Sequence, residues 1–115
     1  YFKLGILYIE FGKFKEAEEF LRKAIKLKNE IAEAHLNLGL MLKNLGRYAE
    51  AELCLIESIK INPKLAISYF ILSQILSKLN RNDESILAIN QAISIEPENY
   101  LFKGELHRLQ TILEN

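Results

Sequence analysis

The side chains able to do acid–base, nucleophilic or metal chemistry in this sequence are His35, His107, Cys54 and a scatter of carboxylates. Their spacing brings none of them together. There is no H-E-x-x-H pair, no nucleophile elbow, no phosphate-cradling glycine loop and no Cys/His cluster with zinc spacing. Cys54 and His35 fall on different predicted helices with no third group beside them, so Cys54 reads as a small apolar filler. The glutamates recur on outer helical faces as solvating charge. No catalytic residue, metal ligand or cofactor is therefore expected, and an enzyme of this size and composition is not expected either. The chemistry that the spacing does support is recognition. Apolar side chains recur beside amides on faces that a helical core does not need, and this pattern depends on how the elements are organised.

The chain has 115 residues, enough for one domain with a single core. Fifteen basic residues balance fifteen acidic ones. That balance removes the electrostatic attraction on which nucleic acids and acidic membranes rely. Half the residues are hydrophobic, which argues against disorder. One cysteine excludes an internal disulfide, and no apolar run approaches the roughly 20 residues that cross a bilayer. With no secretory leader, these features point to the cytoplasm. The chain opens on Tyr1, so its natural start is expected to lie upstream.

Internal repetition organises the rest. A shift of 34 residues sets Leu4 on Leu38, Gly5 on Gly39, Gly12 on Gly46, Phe14 on Tyr48, and Glu16-Ala17-Glu18 on Glu50-Ala51-Glu52. A second shift sets Leu38 on Leu72, Leu45 on Leu79, Arg47 on Arg81, Glu50 on Glu84 and Pro63 on Pro97. Each copy reads as two helices. The first helices cover Leu36 to Leu45 and Ile67 to Leu79 in the later copies. Gly12 and Gly46 end first helices as left-handed caps, and Asn80 takes that place in the third copy. The second helices run roughly over 13–27, 48–61 and 82–95, with Pro63 and Pro97 blocking their continuation. The spacing predicts no strand. Gly5, Gly39 and Ser73 face Ala17, Ala51 and Ser85 where the two helices of a copy meet, and small side chains there allow close approach of the axes.

A 34-residue helix–turn–helix unit with these positions resembles the tetratricopeptide repeat. The second copy carries the pattern best, in Leu38-Gly39, Leu42, Gly46, Tyr48, Glu50-Ala51, Leu55 and Pro63. The first has Tyr1, Leu4-Gly5, Tyr8, Gly12, Phe14, Glu16-Ala17, Leu21 and Ala24, with Asn29 in the proline slot. The third departs from it at Ser73, Asn82 and Ser85, which is expected to weaken its packing. His35 matches Tyr1 and Tyr69, a core slot between paired helices. The resemblance implies an all-α, right-handed superhelical solenoid of seven helices in one domain. Repeat 1 (1–31) is N-terminally truncated, and repeat 2 (32–65), repeat 3 (66–99) and a capping helix (100–115) follow.

In such arrays the first helices line a concave groove that holds a peptide. On a wheel of about 100° per residue, Leu38, Met41, Leu42 and Leu45 share the buried side of the second first-helix, while Leu36 and Leu40 lie well away from it. The groove residues expected from the three copies are Phe2, Ile6 and Ile9; Glu33, Leu36, Asn37, Leu40 and Asn44; and Ile67, Phe70, Ile71, Gln74 and Lys78. The expected function is a protein–protein interaction module that binds a protein or peptide segment through apolar contacts. Packing between adjacent first helices is the competing account of the same residues. The family's clamp for a terminal carboxylate needs Lys, Arg and Asn. Of the matching slots only Asn37 is suitable, and Phe2, Ile6, Ile67 and Ile71 fill the others. An alternative function is the repeat region of a larger enzyme, positioning substrate for a catalytic domain elsewhere. Helical-repeat RNA binding is disfavoured by the neutral charge.

The two ends read differently. On the last helix Phe102, Leu106, Leu109 and Leu113 form a stripe for the third repeat. Lys103, His107 and Gln110 are polar where a partner helix would pack, as a cap requires. At the other end Leu7 and Phe11 match Met41 and Leu45, which pack on a preceding repeat. That face is expected to adjoin an absent repeat or to support self-association.

Overall fold

A computed structural model describes residues 1–28 and 30–114. Among these residues there are seven helices and no strand: α1 (Phe2–Glu10), α2 (Phe14–Leu27), α3 (Ala32–Asn44), α4 (Tyr48–Ile61), α5 (Ala66–Lys78), α6 (Asn82–Ile95) and α7 (Tyr100–Glu114). The second helices begin and end within a residue of the sequence reading. The first helices start earlier than expected, at Ala32 in α3, because the alanines ahead of Leu36 are strong helix formers. The expected replacement of proline by Asn29 lies outside the described residues.

The turns inside each pair share one chemistry. Gly12, Gly46 and Asn80 have φ of 72°, 79° and 61°. The residue after each donates its N–H five residues back: Lys13 to the Tyr8 carbonyl at 2.9 Å, Arg47 to Leu42 at 2.8 Å, and Arg81 to Leu76 at 2.9 Å. This double-bonded cap satisfies carbonyls that the helix end would otherwise orphan. Asparagine tolerates the left-handed region better than other non-glycine residues, which is why the third copy keeps the same turn.

The chain forms two compact units, Tyr1–Asn62 and Pro63–Asn115. In the first, α1 pairs with α2 and α3 with α4, and α2 packs on α3. Its core includes Ala17, Leu21, Leu38, Met41, Leu42, Ala51 and Leu55, each at most 4% exposed. The close approach falls where the small residues predicted it. A Cβ placed on Gly39 would stand 2.1 Å from Cδ2 of Leu55 and 3.3 Å from the Ala51 carbonyl oxygen.

In the second unit α5 pairs with α6, and α7 lies on α6. Ala66, Ile89, Ala92, Phe102 and Leu109 form one buried cluster, with Ile67, Tyr69, Phe70, Ile86 and Leu106 packed around it. Ser73 and Ser85 do not loosen this repeat as expected. Both are fully buried, and Ser85 Oγ donates to the Ser73 carbonyl at 2.6 Å, with the two hydroxyl oxygens 3.3 Å apart. Hydrogen bonding thus replaces the apolar contact of the other two copies. The stripe on α7 is also shorter than expected. Phe102 and Leu109 are sealed, whereas Leu113, in the last turn beyond Leu109, is 48% exposed. Lys103, His107 and Gln110 are exposed.

Candidate functional site

In the first unit α1 and α3 approach each other directly. Phe2, Ile6 and Ile9 of α1 are half-buried on one side of their helix, and Leu40 and Asn37 of α3 are half-buried as well. Glu33 and Asn44 are exposed beside them. Asn37 spends one amide N–H on the Glu33 carbonyl, at 2.8 Å, which fixes its orientation along α3 and keeps its own carbonyl oxygen as an acceptor. Leu36 departs from the sequence reading. It is only 7% exposed, and it offers an incoming peptide little surface.

In the second unit the residues expected on α5 divide. Ile71 is 5% exposed. Ile67 and Phe70 pack on the cluster beneath α7, with the Phe70 ring 5.3 Å from that of Phe102. These three are chiefly core, the competing account of the same residues. Gln74 is half-buried and Lys78 exposed.

The same 34-residue step, continued once more, marks a part of this surface that the sequence reading left out. Leu101, Gly104, Glu105, Arg108 and Ile112 of α7 match Ile67, Phe70, Ile71, Gln74 and Lys78. Leu101 and Ile112 are exposed. Arg108 pairs with Glu105 through Nε at 3.0 Å and reaches Ser77 Oγ of α5 at 3.4 Å, so this flank of α7 adjoins the end of α5. The Glu105 carboxylate raises the pKa of that guanidinium further. Arg108 therefore adds a permanent cation to the surface.

Ion pairs elsewhere brace the repeats. Arg47, at the turn into α4, takes Glu50 at 2.9 Å and Glu18 of α2 at 2.7 Å, and Arg22 pairs with Glu18 at 2.9 Å. Arg81 holds Glu84 the same way in the second unit, at 2.6 Å. The guanidinium beside each holds the Glu50 and Glu84 carboxyls below the usual carboxylate range. Solvent screens exposed pairs of this kind, so they orient the turns more than they stabilise the fold.

His35 is buried and His107 exposed. Cys54 is half-buried, and burial pushes its thiol up to about 11, well away from a reactive thiolate. Among the described residues no three His, Cys, Asp or Glu side chains are placed to hold a metal ion, and no helix is long and apolar enough to cross a membrane.

Comparison with known proteins bears on the helix pairs. The chain superposes on the first tetratricopeptide domain of Spaghetti (RPAP3) bound to the HSP90 peptide SRMEEVD, with a TM-score of 0.95 and 19% identity, over 99% of this chain and 93% of that one. The Arabidopsis OM64 tetratricopeptide domain matches with a TM-score of 0.93 and 23% identity, over 96% and 91%. MamA matches with a TM-score of 0.90 and 27% identity, over 94% of this chain and 63% of its own. A comparison with curated protein sequences gave no match. Family models described as "Tetratricopeptide repeat" match residues 1–31, 32–65 and 66–99 in succession. With the left-handed turns and the small-residue contacts recurring at the same step, the chain belongs to the tetratricopeptide repeat family, an all-α solenoid fold.

Proposed function

We propose that this chain is a protein-interaction module and that its peptide lies along the α1/α3 face of the first unit. The observation that carries this reading is the half-exposed apolar run of Phe2, Ile6, Ile9 and Leu40, beside Asn37 and Asn44. On α1 the contact with the paired helix α2 is made by other residues, Gly5 against Leu21 and Tyr8 against Phe20. The apolar residues gain by leaving water, at about 25 cal/mol per Å². The Asn37 amide supplies the bond that orients a peptide backbone.

The domain of Spaghetti takes SRMEEVD, an acidic peptide. A carboxylate calls for cations, and this chain has Phe2 and Ile6 where the family's clamp needs them. The expected ligand here is an apolar segment without an obligatory terminal carboxylate, and its affinity should change little with salt. Selection from a random peptide library, followed by titration of the selected sequences, tests this. The selected peptides should be rich in large apolar residues. Leu40→Glu should weaken them at least about tenfold, since a half-buried contact is replaced by a charge that must be desolvated. Selected peptides dominated by acidic C-termini, or binding indifferent to Leu40→Glu, would overturn the reading.

A further inference from the structure

Leu101, Glu105, Arg108 and Ile112 stand four, three and four residues apart on α7, so they share one stripe of the helix. Both ends of the stripe are apolar and open, Leu101 at 66% and Ile112 at 41% exposed. Its middle is an ion pair. Arg108 donates from both Nε and Nη2 to one oxygen of Glu105, Oε1, which leaves Oε2 to accept a further bond. The Arg108 side chain is 48% exposed.

This stripe does not lie where successive helix pairs pack. On α3, which another pair follows, the registers of Leu101, Arg108 and Ile112 hold Glu33, Leu40 and Asn44, and those residues are exposed or half-buried. The side of α7 whose register on α5 meets the paired helix carries Lys103, His107 and Gln110 instead.

The order of chemistry along the stripe is apolar, acid, base, apolar. Reversed, it reads apolar, base, acid, apolar, which is its own complement. An antiparallel second α7 therefore sets Leu101 on Ile112 and Glu105 on Arg108, and the two-fold repeats both contacts. A parallel pairing would instead set Glu105 on Glu105 and Arg108 on Arg108, and like charges so placed repel. Self-complementarity is what a two-fold contact between identical chains requires, because one patch must serve as both partners. A foreign helix imposes no such symmetry on the stripe.

We propose that this flank of α7 docks antiparallel on the same flank of a second copy of the chain. Leu101 and Ile112 leave water against each other. The two Glu105 and two Arg108 side chains alternate in one network, each Arg108 reaching Oε2 of the other copy's Glu105. The contact belongs to the second unit and does not depend on the peptide reading of α1 and α3.

Sedimentation equilibrium of the whole chain over a range of concentrations reads the association, and a reversible monomer–dimer equilibrium is expected. Arg108→Glu and Glu105→Arg each set like charges across the contact, and each should raise the dissociation constant at least about tenfold. Mixing those two variants is decisive. One presents two cations and the other two anions, so the dimer should return in the mixture alone. Leu101→Ser reads the same contact without touching a charge, at a side chain exposed enough for the variant to fold, and it should also weaken the dimer. Circular dichroism of each variant should show unchanged helix content. A single monomeric species up to about 1 mM overturns the proposal. A dimer that Arg108→Glu or Leu101→Ser leaves intact overturns it, as does a mixture that stays monomeric. A dimer dissociated by Phe11→Glu, at a residue 70% exposed on α1's C-terminal end, gives the contact to the other end of the chain and overturns it too.

Discussion

A methyl group added at Gly39 and one added at Gly104 should act with opposite signs. Both glycines lie inside helices, α3 and α7. Replacing glycine by alanine in a helix interior gains about 1 kcal/mol from propensity alone. At Gly104 nothing lies within 4 Å of the new Cβ, so that gain should survive. At Gly39 the new Cβ meets Cδ2 of Leu55 at 2.1 Å, Cβ of Cys54 at 3.2 Å and the Ala51 carbonyl oxygen at 3.3 Å. Leu55 is fully buried and has no open space to swing into, and the carbonyl moves only with α4. Overpacking of this kind costs about 1–3 kcal/mol, which leaves Gly39→Ala with a net loss of up to about 2 kcal/mol. Gly39→Leu should lose more. The decisive comparison adds Leu55→Ala, which alone should cost about 2–5 kcal/mol. On that background the space is free, and Gly39→Ala should turn stabilising. Urea unfolding followed by far-UV circular dichroism reads each step as a double-mutant cycle. If Gly39→Ala stabilises the unmodified chain as much as Gly104→Ala does, the close approach of α3 and α4 is misplaced.

On α7, Leu109→Ala should cost about 2–5 kcal/mol and Leu113→Ala under about 0.5 kcal/mol, because only the first is sealed; a thermal melt of each variant checks the contrast. Ser85→Ala restores the residue found at Ala17 and Ala51 and should cost no more than about 1.5 kcal/mol, the net worth of its bond to the Ser73 carbonyl, as read in urea melts. Cys54 should label slowly with iodoacetamide at pH 8 in the folded chain and quickly in urea. Burial raises its pKa to about 11, so the folded state favours the neutral thiol. Its contribution to stability is therefore complete below the unfolded thiol's pKa of about 8.5 and is lost as pH climbs toward 11. Fast labelling at pH 8 without denaturant would contradict that burial.

The parts of the fold that a short stretch of chain determines were legible in the sequence. Gly12, Gly46 and Asn80 announce the left-handed turns through their own backbone freedom, and Gly39 facing Ala51 announces the close helix contact. What depends on neighbours was less so. A helical wheel places Leu36, Ile71 and Phe70 off the helix-pair core, yet each is covered or packed by elements the wheel does not contain; Phe70 meets Phe102, 32 residues away. Phe70→Glu would therefore strike the core of the second unit and is a poor probe of binding. The exposed flank of α7 was readable by one more step of the 34-residue offset, which places Arg108 on Gln74. The polar side of that helix, Lys103, His107 and Gln110, is what a cap requires, and it says nothing of the opposite flank. Ser73 and Ser85 looked like losses of packing one at a time, and their mutual bond becomes visible only once both stand across the same contact.

Backbone amide shifts recorded while an apolar library-selected peptide is titrated into isotope-labelled protein locate the bound peptide residue by residue. The largest shifts are expected on Phe2, Ile6, Ile9, Asn37, Leu40 and Asn44, with little change between low and high salt. Shifts centred instead on the exposed outer side chains of the second helices, Leu53 and Leu87, or confined to Leu4, Leu7 and Phe11, would show that the α1/α3 face does not hold the peptide.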